Sequence, residues 1–151
     1  MKHILRFALL IFCGALASCE NNSTQTNSGE VEILETWSNG KVKKDRLQLR
    51  GDTSRITTYH DNFKVHMVGE VVLSKGKEVK HGEWKSFYPN GVNWSLNTYS
   101  MGVSQGVYKT WHPNGVLNIV GHYSSGVSTG VWQFMDSTGT VIKQFDATPG
   151  E

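Results

Sequence analysis

GEWKSFYPNGVNWSLNTYSMGVSQ, from Gly82 to Gln105, runs without a break into GVYKTWHPNGVLNIVGHYSSGVST, from Gly106 to Thr129. A shorter third copy follows, GVWQFMDSTGTVIKQFD, from Gly130 to Asp146. The period is 24 residues: Gly82, Gly106 and Gly130 open the units, and Trp84, Tyr108 and Trp132 follow each of them at the second position. Gly91, Gly115 and Gly139 share a phase, as do Tyr99 with Tyr123, Gly102 with Gly126, and Pro89 with Pro113. A fixed period of this size marks a repeat architecture, in which each unit packs against its neighbours.

Each unit reads as a β-hairpin. Val107 to His112 is rich in β-branched and aromatic residues, which favour strands. Pro-Asn-Gly then supplies turn chemistry: Pro presets φ near −65°, Asn tolerates the left-handed region, and Gly takes positive φ freely. The expected turn is type I with a glycine bulge. Val116 to Tyr123 forms the returning arm, and Ser-Ser-Gly turns the chain into the next unit. No stretch of useful length has a 3.6-residue apolar period. Alternation places Trp84, Tyr108 and Trp132 at one point on successive hairpins, where they are expected to stack as a ladder. Eleven of the 14 aromatic residues after position 18 lie between Gly82 and Asp146. Large rings are what a shallow sheet needs to build a core, each worth roughly 1.5–3 kcal/mol when fully buried. The third unit has Ser137-Thr138 in place of Pro-Asn, as suits a terminal cap.

At this point the residues resemble a known family. Gly-x-Trp/Tyr, an aromatic, Pro-Asn-Gly, then Tyr and a spacer Gly are similar to the MORN repeat in its bacterial variant-two form. The resemblance covers 82–146 and implies an all-β protein, an antiparallel meander of MORN-like hairpins in an elongated single sheet. It also implies an interaction role, no catalytic residues and no cofactor. Members of that form include exported lipoproteins and proteins named as antitoxin components. Upstream, Trp37-Ser38-Asn39-Gly40 looks like another turn and Leu73-Ser74-Lys75-Gly76 like another spacer. Residues 46–72 depart from the pattern but read as strands, Arg55 to Tyr59 and Phe63 to Leu73, joined by His60-Asp61-Asn62.

The N-terminus reads as an address. Lys2 and Arg6 precede an apolar run of 11 residues, Phe7 to Ala17. This is too short to span a bilayer, which takes about 20 helical residues, and suits a secretory signal. The run ends in Leu16-Ala17-Ser18-Cys19, similar to the bacterial lipobox, which implies cleavage before Cys19 and a diacylglycerol on it. Residues 1–18 are thus expected to be a lipoprotein signal peptide, and 19–29 the lipidated Cys and a flexible tether. A divergent β region is expected over 30–81, repeats over 82–105, 106–129 and 130–146, and a tail over 147–151. Cys13 lies in the signal, so the processed chain has no thiol for a disulfide or a metal. Glu20, rather than Asp, after the Cys leans toward the outer membrane.

Beyond residue 18, 13 basic residues balance 13 acidic ones, which argues against binding to nucleic acid through overall charge. Charge is uneven, however: 41–80 carries a net +5, densest at Lys41, Lys43, Lys44, Arg46 and Arg50. That cluster reads as a solvated edge strand guarded by lysines, or as a contact to anionic headgroups.

Chemistry is sparse. No P-loop, HExxH or GxSxG motif occurs, and no carboxylates pair at glycosidase spacing. His60 and His66 would share a strand face if that strand were unbroken, and His81, His112 or His122 could join them around a metal; scattered surface histidines are the plainer reading, and no metal site is assigned. His112 aligns with Tyr88 and Asp136, a variable position expected to be exposed. Asp136-Ser137-Thr138 reads as a turn before it reads as an O-glycosylation acceptor.

The expected function is that of a non-enzymatic, membrane-anchored envelope lipoprotein whose sheet binds another envelope protein, as accessory or scaffold. Trp94 and Tyr88, outside the ladder phase or beside the turn, are the candidate anchors. Two alternatives remain open: a glycan or cell-wall binding module, and an antitoxin or immunity protein.

Overall fold

The computed structural model describes residues 29–150. The signal peptide, Cys19 and nearly all of the tether lie outside the described residues. Ten strands form one open antiparallel sheet in strict sequence order. They are β1 (Val31–Thr36), β2 (Val42–Gln48), β3 (Thr53–Tyr59), β4 (Val65–Ser74), β5 (Lys77–Phe87), β6 (Asn93–Ser100), β7 (Val103–Trp111), β8 (Leu117–Ser124), β9 (Val127–Met135) and β10 (Val141–Asp146). The all-β meander expected from the repeat is thus the architecture observed.

The turns alternate between two designs, one along each rim. Along the first rim, Tyr88 N–H donates to the Val92 carbonyl and Gly91 N–H to the Tyr88 carbonyl, both at 2.8 Å. This is the type I turn with a glycine bulge. The same pair of bonds recurs at 37–41, 60–64, 112–116 and 136–140. Residues 46–72 therefore keep the first-rim turn, although the β2–β3 connection, with positive φ at Gly51 alone, departs from the other rim's design. Their turn is hidden because Phe63, with φ of 68°, stands where the other four turns have Gly; it belongs to the turn and not to the strand. Along the other rim, Lys75-Gly76, Met101-Gly102 and Ser125-Gly126 all have positive φ at both residues. These are type I′ turns, whose twist matches that of antiparallel strands.

The first rim is a staircase. Asn90 Oδ1 accepts from its own turn's Val92 N–H at 3.0 Å, while its Nδ2 donates to the Pro113 carbonyl of the next turn at 3.3 Å. Asn62 does the same to Pro89, and Asn114 to Ser137, each at 2.8 Å. In the three inner turns the first residue also reaches forward. His60 Nε2 lies 2.9 Å from the Phe87 carbonyl, Tyr88 Oη 2.9 Å from that of Trp111, and His112 Nε2 2.9 Å from that of Met135. Carbonyls only accept, so both histidines carry their proton on Nε2. His112 is half-buried by this contact rather than exposed: the position tolerates His or Tyr because both are flat rings with a polar tip at the right reach.

The core lies on one face. Ile56, Val71 and Trp84 form a buried cluster, with Leu34, Met67 and Tyr99 packed against it. Farther along, the Tyr108 and Trp132 ring centroids are 5.4 Å apart, with the Tyr123 edge against both. Each buried indole lies over a glycine of the preceding strand, Trp84 over Gly69 and Trp132 over Gly121; the middle ring, Tyr108, pairs with Asn97 and Gly121. Arg46 in β2 reaches both Glu32 in β1 at 3.3 Å and Glu78 in β5 at 2.6 Å. Flat strands three apart would be separated by about 14 Å, so the sheet curls toward this face. β2 is not an edge: β1 covers it, and Lys43 pairs with Glu35 at 2.9 Å. Two of the five cluster residues, Lys43 and Arg46, are thus in ion pairs, and Lys41 lies over the Phe63 ring.

Two substitutions separate the backbone and packing contributions. At Gly121 a Cβ would stand 2.3 Å from the Trp132 ring, so Gly121→Ala is expected to cost about 1–3 kcal/mol by overpacking. Gly115 has φ of 87°, and a Cβ there would meet only Val92 Cγ1, at 3.8 Å; Gly115→Val is expected to cost about 1–2 kcal/mol, chiefly through backbone strain. Urea titration of each variant checks both, and Gly115→Ala should recover part of the loss whereas no side chain is tolerated at 121.

Candidate functional site

A groove of 350 Å³ opens on the curled face, where the first repeat meets the second. Trp84, Trp94 and Tyr108 supply rings, and Ser95, Asn97 and Thr110 supply hydroxyls and an amide. Trp84 is held by its Nε1–H, which donates to the Glu70 carbonyl at 2.9 Å, and the Lys80 ammonium lies 4.4 Å above its ring. Trp84 is 5% exposed and forms a wall; Trp94 is 45% exposed and forms the lip. Strand alternation alone would put Trp94 on the opposite face from Ser95. A register shift where β6 meets β5, between Ser86 and Phe87, re-aims it onto the ladder face.

Trp94 does not stand alone. Its ring centroid lies 5.7 Å from Tyr88 and 6.3 Å from His66, and His66 lies 4.6 Å from His60. The two anchors named from sequence therefore meet, but in different roles. Tyr88 is half-buried and committed through its hydroxyl to the next repeat, whereas Trp94 presents an open ring. The turn at 60–64 separates His60 from the strand that carries His66, and the two come together across it. Burial, and secondarily the nearby His60, push His66 below the usual imidazole range. His81, His112 and His122 lie elsewhere, bonded respectively to Met101 N–H, the Met135 carbonyl and Thr129. Among the described residues no group of three or more His, Cys, Asp or Glu could hold a metal.

The remaining sequence-level sites are structural in geometry. Gly82, Gly106 and Gly130 all have positive φ, and each sits within a register shift just before a ladder ring. Gly91 and Gly139 match Gly115 in the rim turns. Asp136 Oδ1 accepts from Thr138 N–H, Thr138 Oγ1 and Thr140 N–H, so Asp136-Ser137-Thr138 is a self-bonded turn. Sequence reading missed Gly69, Gly121 and Thr110. The first two were detectable as the small residues a ring must cover; Thr110 carries no signal beyond its hydroxyl between Lys109 and Trp111.

Comparison with protein families matches residues 80–100 and 104–125 to the MORN repeat variant. Those stretches are the first two units of the 24-residue period, and they carry the groove between them. No curated protein and no solved structure matches the chain.

The His66 environment has a pH signature. A lowered folded-state value means that the unfolded chain binds the proton first, so stability falls as pH drops below the ordinary imidazole value of about 6.5. Thermal melts are expected to show a decline from pH 7 to pH 5 that is shallower in His66→Gln.

Proposed function

We propose that this chain is a non-enzymatic binding protein of a bacterial envelope, held at the membrane by lipid on Cys19, whose MORN-like sheet engages another envelope protein. MORN repeats generally serve interaction with proteins or membranes, and a single-layer sheet leaves much of its surface free for that work.

The observation that carries the protein-binding reading is the contrast between the two sheet edges. An open edge presents unpaired backbone groups and invites strand addition unless it is guarded. β1 is guarded: it carries Glu32 and Glu35, and its register is broken between Ile33 and Thr36. β10 is guarded less: it too has a register shift, between Val141 and Lys143, but its one acid, Asp146, stands at the strand's end, and it exposes three large apolar residues where β1 exposes two, Val31 and Ile33. All six of its residues are exposed, and Ile142 is 67% exposed, with Val141 at 47% and Phe145 at 40%. Its one cation, Lys143, folds its ammonium over Phe134 and Phe145 at 5.6 and 5.3 Å instead of blocking the edge. At the equivalent edges, β6 pairs with β7 and β8 with β9. A partner strand added beside β10 would continue the pattern, with main-chain bonds for affinity and the exposed apolar residues for specificity.

A photo-crosslinker at position 141, beside Ile142 on the same exposed strand, is expected to capture one protein in cells, and the same group at His122 is expected not to. Ile142→Lys should abolish that adduct while changing stability by no more than about 0.5 kcal/mol. Equal capture from both positions, or capture that survives Ile142→Lys, contradicts the edge reading. Separately, Cys19→Ser is expected to move the protein from the membrane pellet to the soluble fraction; continued sedimentation contradicts the anchor.

A further inference from the structure

The groove between the first two repeats points to a second ligand: we propose that it binds a sugar ring of a glycan, stacked on Trp94 and hydrogen-bonded to the hydroxyl row beneath it. This goes beyond the edge reading and does not depend on it.

The first support is that Trp94 is not required by the repeat. The same position holds Asn118 in the second unit and Ile142 in the third. The fold tolerates polar and aliphatic residues there, so an indole left 45% exposed answers some other demand. Beside it Ser95 departs as well, to Ile119 and Lys143. Both departures fall at the one junction where the groove lies.

The second support is an unmet hydrogen bond. Thr110 lines the groove, is 9% exposed, and its Oγ1 has no partner among the described residues. A buried hydroxyl without a partner is unfavourable. Its cross-strand neighbour Ser95 bonds instead to Ser86, Oγ to Oγ at 2.6 Å. Ser86, Ser95 and Thr110 therefore form a row of hydroxyls on three adjacent strands, of which the last is unpaired. A rotation about χ1 between staggered wells turns Thr110 Oγ1 toward the groove, where a ligand hydroxyl can meet it.

The chemistry of the lining selects the ligand. Rings beside hydroxyls and an amide suit a molecule with one C–H face and a polar perimeter, which describes a pyranose. A cationic ligand is disfavoured because no Asp or Glu lines the groove among the described residues, while Lys80 and Lys85 do. Nucleic acid would need a cationic track, and the chain beyond residue 18 is neutral. The volume of 350 Å³ is at the small end of the range of about 300–1,000 Å³ for small-molecule sites. It suits one ring of a chain lying across the lip rather than a protein surface.

The test is a tryptophan-fluorescence titration of the full chain with tetrasaccharides of glucose, of N-acetylglucosamine and of a uronic acid. A saturable change with at least one of them is expected. Trp94→Ala should weaken it at least tenfold. Thr110→Val should weaken it several-fold while leaving the melting temperature unchanged or higher, because the unpaired hydroxyl is gone; a purely structural Thr110 would move stability and leave affinity alone. Ile142→Lys should bind as the parent does. The proposal is overturned if the folded parent binds none of the three sugars, or if binding survives both groove substitutions unchanged. Loss of a protein adduct on Trp94→Ala in a chain that binds no sugar likewise overturns it, by assigning the groove to protein docking.

Discussion

Three successive first-rim turns each hand a side-chain amide to the carbonyl of the next. Asn62, Asn90 and Asn114 make that bond in turn, to Pro89, Pro113 and Ser137. A one-layer sheet has no opposing layer to fix the spacing of its hairpins, so the lock has to be carried by the hairpins themselves. One such bond is worth only about 0.5–1.5 kcal/mol. Repeated at three successive junctions, and joined by the forward reach of His60, Tyr88 and His112, it sets the same offset between the units from the 60–64 turn onward. The register of the rings follows from that offset.

Given that register, packing is determined by what a ring can cover. A Trp on one strand lies flat only where the strand before it offers no Cβ, which Gly69 and Gly121 provide. Tyr108, smaller than Trp, stands where the neighbour is Asn97. Size is thus matched across each junction, and the junction with the larger neighbour is also the one left open as a groove. The sheet's curl, visible in the reach of Arg46 to Glu78, deepens that opening. Stability is shared out in nearest-neighbour terms, as in other repeat proteins, which is why no single residue of this core needs to be fully hidden.

Much of this was legible in the chain. The 24-residue period, Pro-Asn-Gly and the ring positions were enough for the all-β meander and for the bulged turn type. Less legible were the features that depend on a register shift or a cross-strand partner. Alternation put Trp94 off the ladder face because a bulge is invisible to a period-two count. Phe63 masked a fifth copy of the turn because its side chain looks like strand and its backbone conformation is that of glycine. The variability of Tyr88, His112 and Asp136 suggested exposure, yet a position can vary in identity while two of its three residues make one bond to the next repeat. The basic residues of β2 looked like an edge guard because nothing in a local reading shows that β1 covers the strand or that Arg46 reaches Glu78 in β5.

A repeat separates what the fold demands from what it merely permits, and the departures carry the argument about function. At Phe63 the chain accepts a left-handed aromatic residue, a cost of about 1–2 kcal/mol. The Lys41 ammonium, 3.4 Å from the ring centroid, offsets part of it. That exchange explains how the turn survives within the fold, so Phe63 calls for no outside ligand. No such internal exchange accounts for Trp94, which stays 45% exposed beside Tyr88 and His66, or for Ile142, which is 67% exposed. The difference lies in the accounting: an anomaly balanced by contacts inside the sheet is structural, and one left unbalanced points outward. By that criterion the two outward-facing features are the groove lip and the last strand, on different parts of the molecule and open to different chemistry.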